Sequence, residues 1–171
     1  MTWLVPALVA TTANSAVLAA IYLYLSRSER DVGMGVLTLA WTLYAVRFIL
    51  MLFHVLTDAR FLLVLNQLAV LSSAHLLMVG VRRWLGLRPW PWVWVIAVSA
   101  CGVWIIAGGF AGLLLPVLSL PVLLYAGVAF IVSGILVLRS SVRTGSGVSI
   151  VGVALILWGI HKIDYPFLRP I

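Results

Sequence analysis

A chain of 171 residues that is 64% hydrophobic and only 9% charged falls well below the roughly 25% charge of soluble domains, and its mean hydropathy of +1.21 assigns it to a bilayer. The net charge of +7 does not indicate nucleic acid, because the basic residues sit at the ends of apolar runs and form no stripe. Cys101 is the single cysteine, which excludes an intrachain disulfide and a thiolate metal set.

Crossing the hydrocarbon takes about 20 helical residues, and six apolar segments reach that length, near 3–25, 33–57, 61–83, 90–108, 111–138 and 146–163. The first begins within Met1–Pro6, which lacks the basic start of a signal peptide, so it is read as a span. The connections are short and rich in Gly, Pro, Ser and charge. The pattern predicts an all-α, polytopic membrane helical bundle in which residues 1–171 form a single domain and consecutive helices are antiparallel.

Segment two carries the costliest residue. Arg47 lies some ten residues from either end, where an arginine costs about 2.5–3.5 kcal/mol on insertion scales. Tyr44, Arg47, Met51, His54 and Asp58 follow at steps of three or four and so share one helical face. Over the distance from Arg47 to Asp58 that face climbs about 16 Å. Segment three opens with Asn66 and Gln67, while Ser72, Ser73 and His75 lie deeper. The serines are expected to bond helix backbone, and His75 to be a satisfied packing histidine.

Trp84, Trp90, Trp92 and Trp94 surround the junction of segments three and four, as an interfacial aromatic belt would. Segment four itself adds Trp104 and little polarity. Segment five holds Pro116 and Pro121 about Ser119, and each proline is expected to favour a kink. Segment six runs into His161, Lys162, Asp164 and Tyr165, and Pro166 is expected to stop it. Polar groups so dense at the end of an apolar helix must pair or face a cavity.

Arg27, Arg30, Arg82, Arg83, Arg88, Arg139 and Arg143 lie on one side of this topology, and Arg60, Lys162 and Arg169 on the other. The bias places the first side in the cytoplasm and the N-terminus outside. Six spans then put the His161–Tyr165 end outside as well. Segments two and six share the order aliphatic, aromatic, small, aliphatic, cation at Leu43–Arg47 and Leu157–His161. On that likeness the spans divide into 3+1+3 parallel repeats with segment four as linker, a scheme that calls for a seventh helix after Ile171.

The element His161-Lys162-Ile163-Asp164-Tyr165-Pro166, with the Gly80-Val81-Arg82-Arg83 junction after segment three, resembles the N-terminal multi-span membrane sensor regions of bacterial signalling proteins. Their cytoplasmic parts are histidine kinase, PAS or diguanylate cyclase modules. The resemblance implies a bacterial inner membrane, a homodimer, and a seventh helix leading to an output module beyond residue 171.

The function expected is a membrane-embedded, receptor-like sensory domain that binds a small ligand at the outer mouth of segments two, three and six, or senses an extracytoplasmic or membrane cue, and signals to a cytoplasmic output module. Its ligand-binding residues would be Tyr44, Arg47, His54, Gln67, His161, Lys162, Asp164 and Tyr165. Arg47 and Lys162 would supply charge, the histidines hydrogen bonds and the tyrosines an amphipathic wall. No catalytic set is legible and no cofactor is expected. One alternative is a small-molecule transporter of parallel-repeat type. Another is a subunit holding haem or metal at His54 and His161.

Overall fold

A computed structural model describes residues 4–29, 32–88, 92–140 and 146–168. The described chain is all-α: α1 (Leu4–Glu29), α2 (Val32–Thr57), α3 (Arg60–Trp84), α4 (Val93–Phe110), α5 (Leu115–Arg139) and α6 (Ser146–Leu168). All six are long and apolar enough to cross a bilayer, and this is a multi-pass membrane protein.

Local chemistry sets the ends of the helices. At the α2–α3 turn Asp58 takes a left-handed φ of 53°, a conformation that Asp tolerates better than most residues. Its amide bonds His54 O at 2.8 Å, and His54 Nδ1 donates to Ala59 O at 3.1 Å. After α3, Gly86 supplies a φ of 67° and Leu87 N–H returns to Arg82 O at 2.9 Å, which satisfies carbonyls left open at the helix end. Arg82 closes the same turn by donating from Nε and Nη2 to Arg88 O.

Segment five starts later than the sequence suggests. Gly112 turns the chain at φ 72°, and α5 begins only at Leu115, with Pro116 in its first turn. There an imide nitrogen costs no hydrogen bond, so Pro116 is a helix start and Pro121 alone lies inside the helix. At the other extreme, α6 continues to Leu168 and Pro166 does not stop it. A proline forfeits one backbone bond, and a helix already several turns long can absorb that loss.

The helices form an open arc. α1 packs on α2, α2 on α3, α3 on α5 and α5 on α6, while α4 lies behind against α3 and α5. Half of each central span, α3 and α5, is buried, against 11% for α1 and α4. Glycines bring two pairs of backbones together. In α5–α6, a Cβ on Gly134 would stand 2.5 Å from Gly152 O, and one on Gly159 2.6 Å from Gly127 O. In α2–α3, one on Gly80 would lie 2.8 Å from Leu37 Cγ. Small residues therefore act here as they do in other membrane bundles, by allowing close approach.

α6 and α2 make no close backbone approach among the described residues, nor do α6 and α1. Side chains bridge the first gap. The second encloses a cavity of about 460 Å³ between α1, α2, α3, α5 and α6.

Candidate functional site

Tyr44 is the centre of the polar site. It lies on α2 with 4% of its surface exposed, because its ring is boxed by aromatic neighbours from two helices. Trp41 meets it edge-on at 5.7 Å, Phe48 at 5.4 Å, and Trp158 of α6 at 5.8 Å. Trp158 in turn stacks on Phe130 of α5, with centroids 6.0 Å apart and planes 5° apart. Edge-to-face and stacked pairs of this kind fix ring orientation beyond what area burial does.

Two cations converge on this ring. Arg47 Cζ lies 5.2 Å from the Tyr44 centroid and 4.5 Å from that of Phe48. Lys162 Nζ reaches the Tyr44 ring from α6 at 5.6 Å. The ring quadrupole favours a cation over its face, most of all where water is scarce. The same placement brings a guanidinium from α2 and an ammonium from α6 to one ring. Arg47 thus points into the bundle, as the amphipathic face of α2 predicts, and its neighbour on α6 is Lys162.

The other expected site residues are dispersed. His54 is half-buried and serves the α2–α3 turn through Ala59 O. Asp58 lies just past the end of α2 and is exposed. Gln67 is buried on α3 beside Asn66, whose carboxamide oxygen is buried without a hydrogen-bond donor among the described residues. His161 and Asp164 are exposed on α6. Tyr165 continues the helix, but its side chain lies outside the described residues. Of the eight, Tyr44, Arg47 and Lys162 are brought together as a unit.

A second polar cluster escaped the sequence reading. The Tyr125 hydroxyl hydrogen-bonds His75 Nδ1 at 2.6 Å, joining α5 to α3, and Trp94 of α4 stands edge-on to the Tyr125 ring at 6.0 Å. His75 is a satisfied packing histidine, as expected. Its partner was not legible, since the two residues are 50 positions apart. Trp94 faces inward rather than joining a belt, Trp92 is exposed, and Trp90 lies outside the described residues. Ser73 donates to Val70 O within its own helix, as expected, and on α5 Ser133 does the same to Ala129 O.

The cavity lies on the far side of the aromatic box, toward the basic end of the bundle. Its walls include Leu25, Met34, Trp84 and Val148, with Trp41 and Trp158 also lining it. None of the eight expected site residues lines it. An aromatic layer therefore separates a cationic site from an apolar space. Among the described residues, no three His, Cys, Asp or Glu side chains gather as a metal site requires.

No family model, curated protein or solved structure matches this chain. The functional reading therefore rests on the geometry of Tyr44, Arg47 and Lys162, and on the sequence element that carries Lys162.

Proposed function

We propose that this chain is a membrane-embedded sensory domain, and that it recognises a small anionic molecule at Tyr44, Arg47 and Lys162. The observation that carries the reading is the convergence of Arg47 and Lys162, from helices whose backbones stay apart, on one buried tyrosine ring. Holding two like charges together in a bilayer is costly. An anion that reaches both cations gains charge-assisted hydrogen bonds from each. Because one cation belongs to α2 and the other to α6, ligand binding draws the two helices together across a gap spanned by side chains.

The His161-Lys162-x-x-Tyr165-Pro166 element supports the same assignment, since it supplies the α6 cation and resembles bacterial sensor regions. In this proposal the basic ends of α1, α3 and α5 face the cytoplasm of a bacterial inner membrane. The site opens toward the extracytoplasmic side, and α6 transmits the movement to an output module, with homodimerisation as the means of response. His161 and Asp164 would border the entrance, and His54 and Gln67 the α2–α3 side.

The test is ligand-dependent thermal unfolding of the purified protein in detergent, with acetate, benzoate and decanoate as probe anions. At least one acid is expected to raise the unfolding temperature saturably, with apparent affinity falling tenfold or more in Lys162→Met and recovering in Lys162→Arg. No saturable shift with any acid, or an equal shift in Lys162→Met, would overturn the reading.

A further inference from the structure

The apolar cavity has a mouth, and the mouth faces the membrane. Ile21 of α1 and Val151 of α6 both line the cavity, yet they are 48% and 40% exposed. Between them α1 and α6 make no close backbone approach. The opening is therefore lateral, between two transmembrane helices, where the surrounding medium is hydrocarbon. A volume of about 460 Å³ falls within the range of about 300–1,000 Å³ typical of small-molecule sites.

Charge is arranged at one end of this space. Leu25 and Val137 line it, and two residues beyond each come Arg27 and Arg139, both exposed in the last turns of α1 and α5. Arg83, exposed in the last turn of α3, adjoins the cavity-lining Trp84. An apolar slot open to lipid, at the end of the bundle where arginines lie in the last turns of α1, α3 and α5, is complementary to one amphiphile. We propose that the cavity binds an acyl chain of an anionic phospholipid from the leaflet at the basic end, with its phosphate drawn there by the positive charge that Arg27 and Arg139 bring to that end. Guanidinium groups bind phosphate through paired, charge-assisted hydrogen bonds, and juxtamembrane basic residues draw anionic lipid.

This site is distinct from the Tyr44 site and does not depend on it. The bound tail would lie against Trp41 and Trp158, the aromatic layer that also supports the Tyr44 ring.

The experiment is native mass spectrometry of the full chain released from detergent after incubation with dioleoyl phosphatidylglycerol or dioleoyl phosphatidylcholine. Wild type is expected to retain one phosphatidylglycerol under activation that strips loosely held lipid, and several-fold less phosphatidylcholine. Ala154→Phe, which fills the lining at an exposed cavity position, should reduce phosphatidylglycerol retention at least fivefold. Ala100→Phe, on the exposed surface of α4 away from the cavity, should not. The surface variant Arg27→Gln/Arg139→Gln, which leaves the packing intact, should bring phosphatidylglycerol down to the phosphatidylcholine level. Equal retention of the two lipids by wild type would overturn the proposal. So would equal loss in the two phenylalanine variants, or full phosphatidylglycerol retention by the double glutamine variant.

Discussion

The Tyr125 hydroxyl shows how much one atom decides in a span that is otherwise hydrocarbon. Without it, His75 Nδ1 would lie partly buried with no partner, and an unsatisfied buried polar group costs about 1–3 kcal/mol. Tyr125→Phe keeps the ring and its edge-on contact with Trp94. It is therefore expected to lower the unfolding temperature in detergent measurably without altering the anion response at Lys162. An unchanged unfolding temperature would show that the bond contributes nothing net. Arg47 differs, because its guanidinium lies over two rings. Arg47→Leu should lose up to about 2 kcal/mol of cation–π stabilisation and recover part of the insertion cost of a charged residue. Its stability is expected to change less than its affinity for a probe acid, and parallel unfolding and binding curves measure both.

Among the elements, the α5–α6 pair depends most on what is missing from its side chains. Gly127, Gly134, Gly152 and Gly159 leave no room for a Cβ between the two backbones. Gly134→Val or Gly159→Val should therefore force the helices apart, at a cost of about 1–3 kcal/mol or more from overpacking. Gly102, on α4, has no neighbouring atom within 4 Å of a built Cβ. Gly102→Ala should leave stability unchanged or raise it slightly, because alanine restricts the unfolded helix more than glycine does. Thermal unfolding of the three variants side by side checks the contrast, and equal losses in all of them would refute it. The effect matters for function because α6 carries Lys162, and moving α6 away from α5 moves its cation relative to Tyr44.

For the molecule as a whole, the proposed orientation can be tested with single cysteines at opposite ends. Thr57 closes α2 at the end away from the basic turns, and Arg88 follows α3 at the basic end. With Cys101 replaced by serine, Thr57→Cys should react with a membrane-impermeant maleimide on intact cells, and Arg88→Cys only after lysis. The reverse pattern would invert the bundle and place the lipid cavity in the outer leaflet. Either pattern leaves the relative arrangement of cationic site, aromatic layer and cavity unchanged, since the packing of the helices sets that order.

Composition and hydropathy alone determined that the chain is a membrane bundle of six long helices, because every span must satisfy its own backbone in hydrocarbon. The inward direction of Arg47 was also legible, from the cost of the charge and the three-to-four spacing of Tyr44, His54 and Asp58. Turns were read less well: Gly112 and Pro116 shifted the start of α5 to Leu115, and Pro166 lies inside α6. The physical reason is that a proline's effect depends on whether its nitrogen falls in a first turn or an interior one. Only the tertiary structure decided that Arg47 and Lys162 meet over Tyr44, that Tyr125 partners His75, and that the apolar cavity lies at the opposite end from the expected pocket. Those facts depend on which helices adjoin and how far each is rotated, and apolar spans encode that through small residues and ring shapes rather than through any periodic contrast of polar and apolar positions.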